Sequence, residues 1–418
     1  METKEALLER FLRYVAISSQ SSTATKTVPS SAGQWDMAKL LANELKELGF
    51  QSVDISQYAV VTGYLPSNLP EGQSVPTVGW VCHMDTVDAG LSPDIHPQVI
   101  RHYAGGDICL NAEKELWLRV SEHPEIERYI GDDIVVTDGT SVLGADNKSA
   151  IANFMTAMDM VKRENRPHGK IYVAFVPDEE IGLCGAKKLD FTKFPVDFAY
   201  TIDSCELGEL VYQTFNAGGA TLTIKGVTAH PMSAKGVLVN PTLIACDFVN
   251  GLDRTETPEC TEGTEGFIWV DSIVSSPSVA KVGIKIRDHN LEGYRAKKAK
   301  IASLVDALQK ANPRATLTLE MSDVYGNIAD ALTDENRAGL DLLFEVYKAV
   351  GVTPKVIAMR GGTDGSFIST KGVLTPNYFT GAHNFHSNCE FMPMKSFEKS
   401  LEVTWALVDR IAQLKKAA

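Results

Sequence analysis

In the first part of the chain, segments whose apolar residues have helical spacing are interspersed with short continuous apolar runs. Between residues 37 and 48 they recur at intervals of three and four, and Gly49 follows as a C-cap, which predicts a helix. A second helix is predicted over about 149–161. The run at 171–176 is apolar throughout, and the runs at 77–82 and 198–202 are mostly apolar, which is typical of parallel strands buried on both faces. The pattern predicts an α/β domain with a mostly parallel buried sheet flanked by helices.

The pattern changes near residue 215, where apolar and polar residues begin to alternate as in half-exposed strands. Strands are predicted at 220–225, 267–273, 282–286 and 316–321, with helices at 240–252 and 291–311. This β-α-β-β-α-β order is that of a ferredoxin-like α+β domain. Helices predicted at 334–350 and 397–411 then resume the first style. We therefore expect segments 1–214 and 324–418 to form one domain, into which a smaller domain, 215–323, is inserted.

Charge and composition exclude several classes of protein. The net charge of the 418 residues is −13, and no basic face is visible, so a nucleic-acid partner is not expected. No apolar run reaches the roughly 18 residues of a membrane span. Residues 1–15 form an amphipathic helical pattern rather than a secretory signal, so a cytoplasmic location is expected. Seven scattered cysteines without a CxxC pair indicate free thiols rather than a disulfide framework.

Two polar residues follow the first buried run. His83 and Asp85 are separated by one residue, so on an extended chain their side chains point the same way. A metal-bound histidine usually donates its second ring N–H to a carboxylate, and ligands bind at the carboxyl edge of open α/β sheets. The pair therefore suits a metal site, and an ordinary polar loop is the alternative.

Three consecutive acids follow the run at 171–176. Asp178, Glu179 and Glu180 would repel one another at the end of a strand. A divalent cation removes this repulsion, and carboxylates are among the usual ligands of zinc. Adjacent acids also allow one to bind metal while its neighbour serves as a general base. A solvated acidic turn is the alternative.

Three further candidates are weak by themselves. Asp146 precedes a predicted helix and could simply be its N-cap. Asp203 follows the run at 198–202. His386 lies near the end of the chain, where a core or surface histidine is the commoner case. Together, however, these groups would converge on one edge of a parallel sheet, and this convergence favours a metal site.

The motifs, in this order, resemble the peptidase T family of tripeptide aminopeptidases. That family belongs to the dinuclear zinc peptidases, which also include aminoacylases and glutamate carboxypeptidases. The resemblance covers nearly the whole chain and rests on HMDT (83–86), GADNKS (144–149), PDEE (177–180), YTID (200–203), FNA (215–217), AHPMSAKG (229–236), IRD (286–288), RGGTDG (360–365) and NFH (384–386). It implies a metal-dependent aminopeptidase that removes the N-terminal residue of tripeptides.

The resemblance also implies a metal centre with two zinc ions per chain, for which cobalt or manganese could substitute. His83 and Asp203 would ligate one ion. Glu180 and His386 would ligate the other. Asp146 would bridge both, and family members commonly carry a cis peptide bond after this residue.

Further roles follow from the same resemblance. Asp85 would orient His83, and Glu179 would be the general base for a water activated by the two zinc ions. His230 would stabilise the oxyanion; in related enzymes the matching histidine comes from the lid of the other subunit, which implies a homodimer. Arg287 and Arg360 would bind the C-terminal carboxylate of a short unblocked peptide. The alternatives are a surface arginine at a strand end for Arg287 and a loop arginine paired with Asp364 for Arg360.

Some positions depart from the family pattern. Asn147 replaces a second acid, Ser204 and Cys205 replace glycines, and residues 387–389 differ from the usual Gly-Lys-His. None of these removes a predicted ligand, so they leave only the peptide preference open. Cys82, Cys205 and Cys389 lie near predicted ligands, where small core filler is the simpler role; an exposed thiol there would make the protein sensitive to oxidants.

Two other functions stay open at this point. A carboxypeptidase or acyl-amino-acid deacylase could use the same scaffold, because function depends on the site rather than on the fold. A catalytically silent binding protein is the third possibility, but it predicts a damaged ligand set, and every ligand type and the base are present here.

Overall fold

The computed structural model describes residues 3–414. The first part of the chain alternates helices with short strands. In chain order these are α1 (Thr3–Val15), α2 (Ala32–Leu48), β1 (Gln51–Ile55), β2 (Val61–Leu65), β3 (Val78–His83), β4 (Pro97–Ile100), β5 (Ile108–Asn111), β6 (Leu116–Leu118), β7 (Ile134–Thr137), α3 (Ala145–Glu164), β8 (Ile171–Val176), β9 (Phe198–Ser204) and β10 (Glu209–Gln213). The first two residues of the helix predicted over 1–15 lie outside the described residues.

The remaining elements follow in two groups. The first group is β11 (Asn216–Lys225), α4 (Pro241–Asn250), β12 (Phe267–Ser275), β13 (Val279–Asp288), α5 (Leu291–Ala311) and β14 (Thr316–Tyr325). The second group is α6 (Ala338–Ala349), β15 (Lys355–Ala358), α7 (Asp364–Ser369), β16 (Asn377–Phe379), β17 (Phe391–Pro393) and α8 (Met394–Ile411).

The largest sheet has eight strands in the order β1-β2-β8-β3-β9-β16-β10-β15. Its centre is parallel, since β3 pairs in parallel with β8 and β9, and β9 with β16. Antiparallel pairs flank this centre, as β2 pairs with β1 and β8, and β10 with β16. Every residue of β3 and β8 is buried, as expected for strands covered on both faces. The predicted α/β class is confirmed. The sheet is mixed, because its central strands pair in parallel and the strands that flank them pair antiparallel.

Two small sheets were not predicted. One has the order β17-β7-β4 and the other pairs β5 with β6. Their strands have only three or four residues, which is too short for a clear period in the sequence. They enclose a core of their own, which includes Ile108, Leu118, Ile134 and Phe391.

Contacts divide the chain into two units. The first runs to Tyr212 and resumes over Leu332–Ile357 and from Thr363, while the second consists of Gln213–Ala331 and Ala358–Gly362. The short segment 358–362 joins the second unit through backbone hydrogen bonds from Met359 N to Gln213 O (2.9 Å) and from Phe215 N to Gly361 O (3.1 Å).

The second unit is built on an antiparallel sheet with the order β12-β13-β11-β14. Buried residues alternate with half-buried or exposed ones along β13 and along β11 after its first residues, and buried residues of both strands pack with Phe248 of α4 and Ile301 of α5. The predicted β-α-β-β-α-β order and the separate α+β domain are confirmed. Among residues 3–414, no helix is both long enough and apolar enough to cross a membrane.

Candidate metal centre

Adjacent strands place the candidate ligands at one edge of the main sheet. His83 is the last residue of β3, Asp203 is the last residue but one of β9, and Glu180 follows β8 by four residues. Because β8, β3 and β9 are neighbouring parallel strands, their carboxyl ends meet. Asp146 enters from the start of α3, and His386 enters from the loop between β16 and β17.

A first donor group surrounds His83. Its Nε2 lies 2.8 Å from Asp146 Oδ1 and 3.7 Å from Asp203 Oδ1. One ligand atom from each of these three residues lies within 4.8 Å of the others. This group therefore has the composition expected for one metal position, with one imidazole and two carboxylates.

A second donor group surrounds His386. Its Nε2 lies 3.2 Å from Asp146 Oδ2 and 3.1 Å from Glu180 Oε1, and these three residues also satisfy the 4.8 Å limit. Asp146 thus presents a different oxygen to each histidine. Glu179 completes a third combination with His83 and Glu180, which places its carboxylate beside the two groups.

The charges of these groups are poorly balanced without a cation. No lysine or arginine of the described chain pairs with the carboxylates of Asp146, Glu180 or Asp203; their ion-pair partners are histidines. Burial and the charge of Asp146 raise the pKa of Glu180 to about 7 and that of Asp203 to about 6. Hydrogen bonds to Asp146 and Glu180 raise the pKa of His386 to about 11. A divalent cation would replace these protons and neutralise the carboxylates, so the donor set fits metal ions.

Asp85 connects the first histidine to the acidic turn after β8. It is fully buried, and its Oδ1 lies 3.4 Å from His83 Nδ1. The same carboxylate accepts hydrogen bonds from Glu179 N (2.9 Å) and Glu180 N (3.2 Å). The structure therefore places Asp85 where it can orient both His83 and the two glutamates.

Comparison with known proteins agrees with this geometry. Residues 144–410 match the family model "Peptidase family M20/M25/M40", which covers more than half of the chain. The chain belongs to this peptidase family.

The similar proteins include two curated relatives and a solved structure. A "Peptidase T-like protein" of Yersinia pestis is 52% identical over 400 residues, which cover 96% of each chain. A "Peptidase T" of Geobacillus kaustophilus is 40% identical over 411 residues, covering 98% of this chain and 99% of the relative. The crystal structure of an aminopeptidase PepT from Bacillus cereus has a TM-score of 0.74 at 22% identity, covering 98% of this chain and 99% of that one. The resemblance inferred from the motifs is confirmed.

Asp178 has a different place in this M20/M25/M40 peptidase from its two neighbours. It is fully buried and accepts hydrogen bonds from Ser30 N (2.8 Å), Ser30 Oγ (2.6 Å) and Gln34 Nε2 (2.7 Å). It therefore anchors the serine-rich segment before α2 instead of joining a donor group. The same segment is tied to the motif at 83–86 through Ser19 Oγ and Met84 O (2.7 Å).

Glu390 is a residue of the centre that the motifs did not reveal. Its carboxylate is 1% exposed and accepts backbone hydrogen bonds from Leu143 (2.7 Å), Gly144 (2.9 Å) and Asp146 (3.2 Å). It therefore holds the turn that carries the shared aspartate. The one signal in the sequence was a lone acid beside the apolar run that starts at Phe391.

The start of α3 is irregular where the shared aspartate lies. Asp146 and Asn147 depart from helical dihedral angles, and the peptide bond between them is cis. The cis bond is the one that the family resemblance leads us to expect. Asp146 is therefore part of a specialised turn and does not act as a simple N-cap.

The three residues proposed to bind substrate all belong to the second unit. His230 is exposed, and its Nδ1 accepts a hydrogen bond from Met232 N (3.2 Å). Arg287 Nη1 donates to Gly218 O (2.9 Å), and the guanidinium of Arg360 donates to oxygens of residues 261–265. These hydrogen bonds of the three residues all lie within the second unit, whereas the metal-centre residues all belong to the first unit.

The thiols near the predicted ligands are shielded. Cys82 and Cys389 are buried and Cys205 is half-buried. Burial raises the pKa of all three, which keeps them as protonated, slowly oxidised thiols. This favours the role of core filler.

Proposed function

We propose that the protein is a metal-dependent aminopeptidase that hydrolyses the N-terminal residue from tripeptides. The observation that carries this proposal is the placement of Asp146, whose two oxygens each face a separate histidine-containing donor group. A shared carboxylate between two such groups is the arrangement of a two-metal hydrolytic site. The similarity to proteins named peptidase T supports the choice of substrate class.

In this proposal two zinc ions, or cobalt or manganese, occupy the donor groups. His83 and Asp203 would hold one ion and Glu180 and His386 would hold the other, with Asp146 as the residue common to both donor groups. When bound, such ions polarise a carbonyl and lower the pKa of water towards 7. Asp85 keeps the ring of His83 in its orientation through Nδ1.

Glu179 is the proposed general base. Burial raises its pKa well above the usual value for a glutamate, which suits a group that must first accept and then release a proton near neutral pH. Its carboxylate takes the proton of the attacking water, holds it, and returns it to the leaving amine nitrogen. The hydrogen bond from Glu179 N to Asp85 (2.9 Å) fixes the backbone from which this side chain projects.

The second unit supplies the proposed substrate contacts. His230 would stabilise the oxyanion, and Arg287 and Arg360 would bind the terminal carboxylate. Both arginines would have to exchange carbonyl acceptors for that carboxylate. A bidentate grip on the terminal carboxylate would favour short peptides with a free C-terminus.

A homodimer through the second unit is part of the proposal. The edge strand β12 exposes three large apolar side chains, Trp269, Ile273 and Val274, and an edge strand with such residues is a surface that a second copy can cover. Sedimentation velocity would test it, since a monomer at micromolar concentration would contradict it. A cytoplasmic location stays a prediction.

The decisive experiment is a metal-loaded assay with unblocked peptides of two to five residues and with N-acylated and C-amidated tripeptides. We expect cleavage of the free tripeptide, with release of its first residue and about two zinc ions bound per chain. Release of the last residue would identify a carboxypeptidase, and cleavage of the N-acyl group would identify a deacylase. Glu179→Gln should lower kcat by about 10²–10⁴-fold at unchanged metal content; normal turnover in this variant would refute the role of the base.

A further inference from the structure

Asp364 is a buried acid, and one of its two carboxylate oxygens has no hydrogen-bond partner. The residue is 2% exposed, and its Oδ1 is buried without any hydrogen-bond partner. Among the described residues of the first unit, no lysine, arginine or histidine forms an ion pair with it. An isolated buried charge is costly, so a carboxylate placed in this way calls for a cation or a strong donor.

The position of Asp364 in the fold brings it towards the metal centre. It is the first residue of α7, and this helix packs against β3 and β9. These are the two strands whose ends carry His83 and Asp203. Ile368 of the same helix shares a core with Val81 and Ala199 of those strands.

The electrostatics agree with this placement. Burial and the negative charges of Asp203, Asp85 and Glu180 raise the pKa of Asp364 to about 8, although His83 acts in the opposite direction. The charge of Asp364 in turn contributes to the raised pKa of Glu179. Its carboxylate is thus close enough to the acids of the centre to act on them.

Neither the metal positions nor a protein cation accounts for Asp364. It is absent from the three groups of the described chain whose donor atoms lie within 4.8 Å of one another. Lys187 is near enough for its pKa to respond to Asp364, but its Nζ donates to Gly182 O at 2.8 Å instead. No side-chain cation of the described first unit therefore meets Asp364, and its carboxyl group is left for a ligand.

We propose that Asp364 binds the α-ammonium group of the substrate peptide. This inference rests on the proposed aminopeptidase function, because the N-terminus of the substrate then lies next to the scissile bond and beside the metal centre. An ammonium group is a compact cation with three donors, and it would complete the carboxylate by a charge-assisted hydrogen bond. Asp364 would thereby select peptides with a free N-terminus, and Asp364 would take no part in proton transfer.

The test compares Asp364→Asn with the unmodified enzyme on two matched substrates. One is a free tripeptide, and the other is its analogue with a hydroxyl in place of the α-amino group. We expect kcat/KM for the free tripeptide to fall about 100-fold in the variant, as for the loss of one partner of a buried charge pair, and kcat/KM for the hydroxy analogue to change less than about threefold. Equal losses on both substrates would refute the proposal.

Binding provides a readout that does not depend on turnover. In a Glu179→Gln background, titration calorimetry should show about 100-fold weaker binding of the free tripeptide to Asp364→Asn, with unchanged binding of the hydroxy analogue. Metal content should stay at two ions per chain, and a loss of metal would assign Asp364 to the metal centre instead. Asp190→Asn, at an exposed turn, is the matched control and should change neither value.

Stability of the metal-free chain separates the proposal from a structural role. Removing an unpartnered buried charge should leave the thermal midpoint of Asp364→Asn equal to or above that of the unmodified chain, whereas a lower midpoint would indicate a structural role and count against the proposal. If the unmodified enzyme cleaves no peptide but still binds the free tripeptide in an Asp364-dependent way, the proposed function fails and the ammonium site stands.

Discussion

The substitution Glu390→Gln tests how the turn before the shared aspartate is held. Oε2 of Glu390 accepts from Leu143 N (2.7 Å) and Gly144 N (2.9 Å), and Oε1 accepts from Asp146 N (3.2 Å). A glutamine can keep the first pair with its carbonyl oxygen, but its NH₂ group then faces the N–H of Asp146. One buried donor is left unpaired, which costs about 1–3 kcal/mol of unfolding free energy.

The same change should weaken metal binding. Loss of a hydrogen bond that orients a ligand typically lowers metal affinity by about 10–100-fold, because the ligand spends less time in the binding geometry. Urea denaturation of the metal-free chain gives the first value, and competition with a chromogenic zinc chelator gives the second. Both readouts are independent of peptide cleavage.

Glu44→Gln is a suitable control for this experiment. Glu44 is a half-buried glutamate whose partners are Tyr14 and Arg13 of α1 rather than residues of the metal centre. It should lower stability modestly and leave zinc affinity unchanged. If Glu390→Gln bound zinc as tightly as the unmodified chain and unfolded within about 0.5 kcal/mol of it, the three hydrogen bonds would not be what orders Asp146.

Three further substitutions test other parts of the first and second units. Hydrogen bonds from the backbone of residue 102, Lys4 and Arg101 outweigh burial and lower the pKa of Asp133, so its stabilisation is present above the unfolded pKa of about 4 and is lost as pH falls through the folded value. Asp133→Asn should therefore cost about 1–2 kcal/mol at pH 7 and progressively less towards pH 2, as measured by urea denaturation. Asp178→Ala should cost about 2–4 kcal/mol and expose the segment before α2 to proteolysis, because three buried donors lose their acceptor. Phe248→Ala should lower the stability of the second unit by about 3–5 kcal/mol, as seen in its calorimetric transition, since the ring is fully buried.

Periodicity predicted those elements that are long or buried on both faces. The run at 171–176 forms β8 and the helix predicted at 291–311 forms α5, with the same bounds. These segments carry their signal locally, because each apolar side chain faces a core whatever the partner strand is. The strands of the two small sheets have three or four residues and carry no such period, so only pairing with distant segments makes them strands.

The sequence predicted metal ligands at the positions where a motif follows a strand. His83 and Asp203 stand directly after apolar runs, and Glu180 lies four residues after one. Neighbouring parallel strands bring their side chains to one edge of the sheet. Glu390, Asp178 and Asp364 were not recognised as a clamp, an anchor and an unpartnered acid. The sequence does not distinguish these three acids, because their surroundings come from distant parts of the chain. The hydrogen-bond partners of Asp178 lie 144 or more residues away, and those of Glu390 lie 244 or more residues away.

The sequence by itself determined where the long helices and buried strands lie, which acidic and histidine residues follow the strands, and to which family the motifs belong. Each of these properties depends on residues that are close together in the sequence. Only the tertiary structure decided how those groups divide between two donor sets and which oxygen of Asp146 faces which histidine. It also decided that the carboxylate of Glu390 accepts hydrogen bonds from the backbone, whereas one carboxylate oxygen of Asp364 has no hydrogen-bond partner. These properties depend on distances of a few ångströms between residues far apart in the chain, and hydrogen bonds and buried charges act only over such distances.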